Sequence, residues 1–296
     1  MTSVWDCCDD LGVFSTDSGD RSALPGTEVH FLGSEQVGDE FKIIVGHCGS
    51  SESAVRVPVF LGDTWMHFGI AVEIARLLRL TEVVPPLLIV GVGYRTTDLS
   101  EIFGLRHRDL TPTVGPSSGA DRFLAFLTEE LKPWLEDRYG VAVDDSMFFG
   151  DSRGGLFATY VLLSAPSTFR RYGIGSASLY ADEGVKSMFE QEVEYAAGHN
   201  DLPAKVFFSV GGYENPAGHQ RRLDQLALAH RAELEAHPGD LGEDYLGDTE
   251  RMVKALQGRA YASLQLEHQV LPGEYHETAV PLNLSRSLRS LFDAPR

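Results

Sequence analysis

The pattern Gly-x-Ser-x-Gly, whose serine can attack a carbonyl carbon when held on a tight turn, occurs twice in the chain. One copy surrounds Ser152 in GDSRGGLFATY and the other surrounds Ser117 in TVGPSSGADRF. The spacing does not separate them, but the flanks do, because an exposed nucleophile needs strand, turn and helix in immediate succession. Ser152 follows the short apolar run Met147-Phe148-Phe149 and precedes Leu156 to Leu163, which reads as a buried helix. Gly150 and Gly154 remove the Cβ atoms that would collide where strand and helix cross, and Gly155 relieves the next turn. Ser117 follows the polar, proline-broken Asp109–Val114 run and stands directly after Pro116, so it reads as a loop or helix-capping residue.

A serine hydroxyl is a weak nucleophile at neutral pH and needs a base, most often histidine oriented by a carboxylate. On sites of this kind the chain order is serine, acid, histidine. Of the histidines after Ser152, His276 has the required address, a loop leaving the last strand and entering the last helix in LPGEYHETAV. His268 falls inside the strand pattern and reads as structural. The acid is expected after the preceding core strand, where Glu214 is the first carboxylate in GGYENP. Asp224 nearby and a Ser-His pair without a strong acid remain alternatives. The oxyanion hole would use the backbone N–H of Arg153 and a second donor from Gly62 or Asp63, in the loop after the third strand. The Arg153 side chain could meet an anionic or aromatic substrate or form a surface ion pair.

These residues must be positioned by a framework, and the chain supplies one by alternating two periods. Strand-like runs cover 28–31, 40–45, 57–61, 87–92, 147–149, 172–175, 206–210 and 263–270. Several are continuously apolar, as expected of strands buried on both faces of a parallel sheet. Between them, Phe123, Phe126, Leu127, Leu131, Trp134 and Leu135 make one apolar helical face from about Ala120 to Glu136. Leu156, Tyr160 and Leu163, and later Leu284, Leu288 and Leu291, do the same. The pattern implies a three-layer α/β sandwich with a mostly parallel sheet of about eight strands. The turn-rich LGSEQVGDE adds an antiparallel hairpin at one edge. Residues 1–25 read as an irregular segment and 26–296 as one catalytic domain.

With 25 Lys and Arg against 43 Asp and Glu, the net charge is −18, which disfavours phosphate backbones and anionic lipid surfaces as partners. The opening MTSVWDCCDDLGVF lacks a basic region followed by a long apolar run, and the chain has no stretch of about 18 consecutive apolar residues. Three cysteines, Cys7, Cys8 and Cys48, show neither CxxC nor a zinc-ligand spacing. The expectation is a reduced, cytoplasmic protein.

From about Thr27 to Phe292 the chain resembles the esterase D and enterochelin esterase branch of the α/β-hydrolases, which is also similar to feruloyl esterases and mycolyltransferases. PVFLGDTW, the run from Arg108 to Thr113, GGLF within GDSRGGLFATY, and GEYH before AVPLNLSRSLRSLF carry the likeness. The resemblance implies an α/β-hydrolase fold with Ser152 as nucleophile, His276 as base and Glu214 as acid, and no required metal or cofactor. It also implies a small-molecule ester or lactone substrate, a siderophore trilactone or related natural-product ester first. Leu61 departs from the family pattern, which has Asp before this glycine. Trp65, Tyr94, Arg95 and Tyr275, on loops near the expected site, are candidate contacts for an aromatic or anionic acyl group. An acyltransferase with the same acyl-enzyme is the alternative, and an inactive binding protein on this fold is the third reading. The residues say nothing of oligomeric state.

Overall fold

Short β-branched and aromatic runs alternate with helical stripes through the chain, and in the computed structural model they become one sheet with helices on both faces. The structure describes residues 24–49, 55–62, 64–114, 118–179, 184–225 and 243–292. Most of the expected irregular segment 1–25, together with Asp63 and Ser117, lies outside the described residues.

The strands are β1 (Thr27–Ser34), β2 (Asp39–Cys48), β3 (Val57–Leu61), β4 (Leu87–Gly93), β5 (Met147–Asp151), β6 (Arg171–Gly175), β7 (Lys205–Gly211) and β8 (Gln265–Leu271). They form one eight-stranded sheet in the order β1-β2-β4-β3-β5-β6-β7-β8. β1 and β2 pair antiparallel as the expected edge hairpin, β2 pairs antiparallel with β4, and every pairing from β4 to β8 is parallel. Because parallel strands end at a common edge, the segments following β3, β5, β6, β7 and β8 all emerge there.

Alternation within each strand feeds two cores. On one face Phe41, Ile43, Val45, Val90, Phe148 and Phe208 pack against Phe123, Phe126, Leu131, Phe157 and Met252. The helices on that side include α3 (Gly119–Ala125), α4 (Lys132–Tyr139), α5 (Arg153–Ser164), α6 (Met188–Gly198) and α8 (Tyr245–Arg259). On the other face Val59, Leu61, Ile89, Met147, Phe149 and Phe207 pack against α1 (Thr64–Leu80) and α9 (His276–Phe292). Each fully buried Phe or Leu contributes roughly 1.5–3 kcal/mol relative to exposure. Two further helices, α2 (Leu99–Leu110) and α7 (Pro216–Gln225), follow β4 and β7.

Several strands run longer than expected, among them β1 and β2, and two other differences have a visible cause. The helix expected over Ala120–Glu136 is interrupted by a π-helical turn, Phe126–Leu131, and runs on to Tyr139, where Gly140 at φ 59° closes it. The wider turn keeps Phe126, Leu127 and Leu131 all in the core. β8 begins at Gln265 because the Ser263 N–H is taken by Asp201 Oδ1 at 2.8 Å, and the first ladder bond is Gln265 N–H to Ala204 O at 3.0 Å.

Candidate active site

Ser152 sits between β5 and α5 with φ 56° and ψ −117°, a region that costs a non-glycine residue about 1–3 kcal/mol. Three backbone bonds hold it there. Its N–H donates to Gly175 O at 3.0 Å, and its carbonyl accepts from Leu156 at 3.0 Å and Ser178 at 3.1 Å. Gly150 is required by close packing, since a Cβ there would overlap the Gly154 carbonyl oxygen. The turn therefore lifts Ser152 above the strand end, with its Oγ 3.5 Å from Ser178 Oγ.

Glu214 leaves the end of β7 and turns inward, with no exposed surface. Its Oε1 accepts from Gly211 N–H at 2.6 Å and from Ser176 Oγ at 2.7 Å, while Oε2 lies 2.6 Å from His276 Nδ1. His276 is the first residue of α9, with 26% of its side chain exposed and the Tyr245 ring at 4.7 Å. The carboxylate holds the proton on Nδ1, which leaves Nε2 as an acceptor. Bonds from Gly212 N–H to Leu271 O at 2.7 Å and from Tyr213 N–H to Glu274 O at 3.0 Å join the two loops that carry Glu214 and lead to His276. Asp224, the alternative acid, is exposed on α7 and accepts from Gln220 at 3.0 Å.

Two further titratable groups lie under this constellation. Burial pushes the Asp151 carboxyl above its ordinary range, and burial lowers the pKa of His219 on α7. In both cases the cause is the cost of keeping a charge in a buried environment.

The remaining expected residues are dispersed. Arg153 begins α5, whose first-turn N–H groups have no intrahelical carbonyl partner. Its guanidinium is tied to α2, donating to Thr111 Oγ1 at 2.9 Å with His107 Nδ1 at 3.3 Å, which is neither of the roles expected for it. Gly62 is adjacent to the elbow, and a Cβ on it would lie 3.5 Å from Gly154 Cα. Its N–H, however, donates to Phe149 O at 3.1 Å, extending the β3–β5 pairing, so it is engaged rather than offered to an oxyanion. Asp63 is the other expected donor and lies outside the described residues; Trp65 follows in the first turn of α1.

A cavity of about 420 Å³ opens beside Gly62, lined by Lys42, Thr64, Phe68, Tyr94, Thr97 and Arg106 among others. Tyr94 is thus in the cavity wall, 6.0 Å from the Phe41 ring. Arg95 points elsewhere, pairing with Glu40 and lying 5.0 Å over Phe31. Tyr275 packs 5.1 Å from Tyr213, under Arg222 at 5.2 Å, and donates to Gln225 Oε1 at 3.3 Å. Among the described residues no group of three or more His, Cys, Asp or Glu is arranged to hold a metal ion, and no helix is long and apolar enough to cross a membrane.

Sequence reasoning did not single out Ser176 or Asn283, which bond to Glu214 and Asp151. A signal for Asn283 was present: with Ser287 it is a polar i, i+4 pair on the otherwise apolar face of α9.

Comparison with known proteins places the fold and the family. A family described as "Putative esterase" matches residues 57–244. The ferri-bacillibactin esterase of Bacillus subtilis is 26% identical over 295 residues, covering 93% of each chain. The siderophore triacetylfusarinine C esterase of Aspergillus fumigatus is 26% identical over 218 residues, covering 70% of each. The solved siderophore hydrolase EstB of Aspergillus nidulans superposes with a TM-score of 0.76 at 19% identity, covering 95% of this chain and 100% of that one. With its family model matched over more than half its length, the chain belongs to the esterase family, carboxylic ester hydrolases on the α/β-hydrolase fold.

Proposed function

We propose that the protein is a serine esterase that opens a siderophore-type ester or lactone through an acyl-enzyme. Ser152 attacks the ester carbonyl, His276 Nε2 takes the hydroxyl proton and returns it to the leaving alcohol, and Glu214 holds the imidazole in the required tautomer. Water then attacks the acyl-serine with His276 again as base. The observation that carries this reading is the 2.6 Å contact between His276 Nδ1 and buried Glu214, at the same sheet edge as a serine strained to φ 56°. The Arg153 backbone N–H is the first oxyanion donor, and a donor from the loop after β3 completes the hole.

The siderophore esterases among its relatives support the substrate class. So does the cavity beside Gly62, whose wall combines Tyr94 and Phe68 with the cationic Lys42 and Arg106. Such a wall suits an aromatic acyl group bearing negative charge.

The test is Ser152→Ala against wild type, with a fluorophosphonate probe and with a cyclic triester siderophore, free and ferric, as substrate. Loss of labelling and of free-acid release in the variant is expected. Wild-type labelling or turnover by Ser152→Ala would sink the reading, and acyl transfer to an added alcohol in preference to water would make the protein a transferase.

A further inference from the structure

Below the catalytic edge, on the face packed by α1 and α9, a line of buried polar side chains joins the nucleophile strand to the acid. Asn283 lies about two turns along α9 from His276 and has no exposed surface. Its Nδ2 donates to Asp151 Oδ2 at 2.7 Å and to Ser176 Oγ at 3.0 Å. Ser176 Oγ donates in turn to Glu214 Oε1 at 2.7 Å. The direction of this chain is dictated by chemistry. A hydroxyl has one hydrogen, and here it goes to the carboxylate, so the Ser176 oxygen must accept. The Asn283 amide must then turn its NH₂ toward Ser176, which also satisfies Asp151.

The backbone carries a second sign of purpose. Ser176 adopts φ 38°, one of the few non-glycine positions in the left-handed region, with its N–H fixed to Ser209 O at 2.8 Å. Serine pays a steric penalty there that glycine would not. What serine adds is the hydroxyl directed at Glu214. The preceding residue is glycine for a complementary reason. A Cβ on Gly175 would overlap Asp151 Oδ2 and stand 2.8 Å from Asn283 Nδ2, so the space above it is kept for that contact. Asp151 is itself buried, and burial raises its pKa above the ordinary carboxyl range.

We infer that Ser176 and Asn283 are positioning residues of the hydrolytic site. Asn283 orients the Ser176 hydroxyl, which holds the Glu214 carboxylate facing His276. Its second N–H ties α9, the helix that begins with His276, to Asp151, the residue before Ser152. This rests on Ser152, His276 and Glu214 acting as a triad.

The experiment measures kcat and KM for p-nitrophenyl acetate, with thermal melting, for Ser176→Gly, Asn283→Ala, Glu214→Ala and the double variant Ser176→Gly/Glu214→Ala. Ser176→Gly relieves the left-handed strain, so its melting temperature stays within about 5 °C of wild type. Its kcat falls about tenfold to a hundredfold, the worth of a hydrogen bond to a buried charge, with KM unchanged. Asn283→Ala lowers kcat in the same sense. On Glu214→Ala the Ser176 change adds less than about twofold, because Ser176 acts through that carboxylate. Wild-type kcat in Ser176→Gly, additive losses in the double variant, or collapse of the melting transition in Ser176→Gly would each overturn the inference, the last by making Ser176 merely structural. Wild-type turnover by Ser152→Ala or Glu214→Ala would instead remove the triad itself, so the two failures are distinct.

Discussion

Replacing Glu214 by glutamine changes a single acceptor atom into a donor, and the structure predicts which one. The Oε1 position faces two donors, Gly211 N–H at 2.6 Å and Ser176 Oγ at 2.7 Å, so the glutamine oxygen must settle there. Its NH₂ is then presented to His276 Nδ1, which in wild type lies 2.6 Å from Oε2. Two donors cannot share that contact. The imidazole responds by moving its proton to Nε2, and in that tautomer it cannot accept the Ser152 hydroxyl proton. A wrong tautomer in an otherwise intact site lowers kcat about ten-thousandfold, or ~5.5 kcal/mol. Because the volume is conserved and Glu214 is fully buried and does not line the cavity beside Gly62, KM and the melting temperature should change little. The assay is steady-state hydrolysis of a chromogenic ester by Glu214→Gln, with Asp224→Asn as the comparison that should retain wild-type turnover. A Glu214→Gln enzyme with kcat within about tenfold of wild type would refute the tautomer argument and move the acid elsewhere.

Two further outcomes follow from packing and burial. Gly150→Ala would drive a methyl group into the Gly154 carbonyl oxygen; we expect a loss above about 4 kcal/mol, read as loss of the cooperative denaturant transition, and a normal midpoint would disprove the close crossing. Lys132 donates to Thr168 O and lies 4.5 Å from the Phe169 ring, and burial lowers its pKa to about 8 from 10.5. A depressed lysine favours folding when neutral, so its contribution is full above about pH 10.5 and is lost as pH falls through about 8. The gain in melting temperature of Lys132→Met over wild type should therefore be largest near neutral pH and shrink toward pH 10.5; a difference independent of pH would exclude this titration.

What the chain made legible was whatever its local pattern encodes. The strand before Ser152, the helix after it and the loop addresses of Glu214 and His276 are contiguous stretches, and parallel pairing brings their ends to one edge. That Glu214 and His276 meet therefore follows from element order. Gly62 was harder to read. Whether its N–H is offered to a substrate depends on β3 lying beside β5, where Phe149 O takes it, and no local signal in LGDTW records that neighbour. Arg95 and Tyr275 sit on loops at the expected end of the sheet, but the partners that turn them aside, Glu40, Gln225 and Arg222, belong to other elements.

The same limit explains why the most constrained part of the site was the least visible. Asn283 and Asp151 are 132 positions apart, and Ser176 and Glu214 are 38 apart, yet all are buried within one hydrogen-bonded line. A serine in a left-handed conformation carries no sequence mark, and the bond made by its N–H runs to Ser209 O on the neighbouring strand, far away in the chain. On α9 the polar pair Asn283 and Ser287 interrupts an apolar stripe, and buried polar groups of this kind stabilise only when their partners are present. For Asn283 the partners are Asp151, the residue before Ser152, and Ser176, whose hydroxyl donates to Glu214. One helix thus begins with His276 and, two turns later, bonds through Asn283 to Asp151 and Ser176, the neighbours of Ser152 and Glu214.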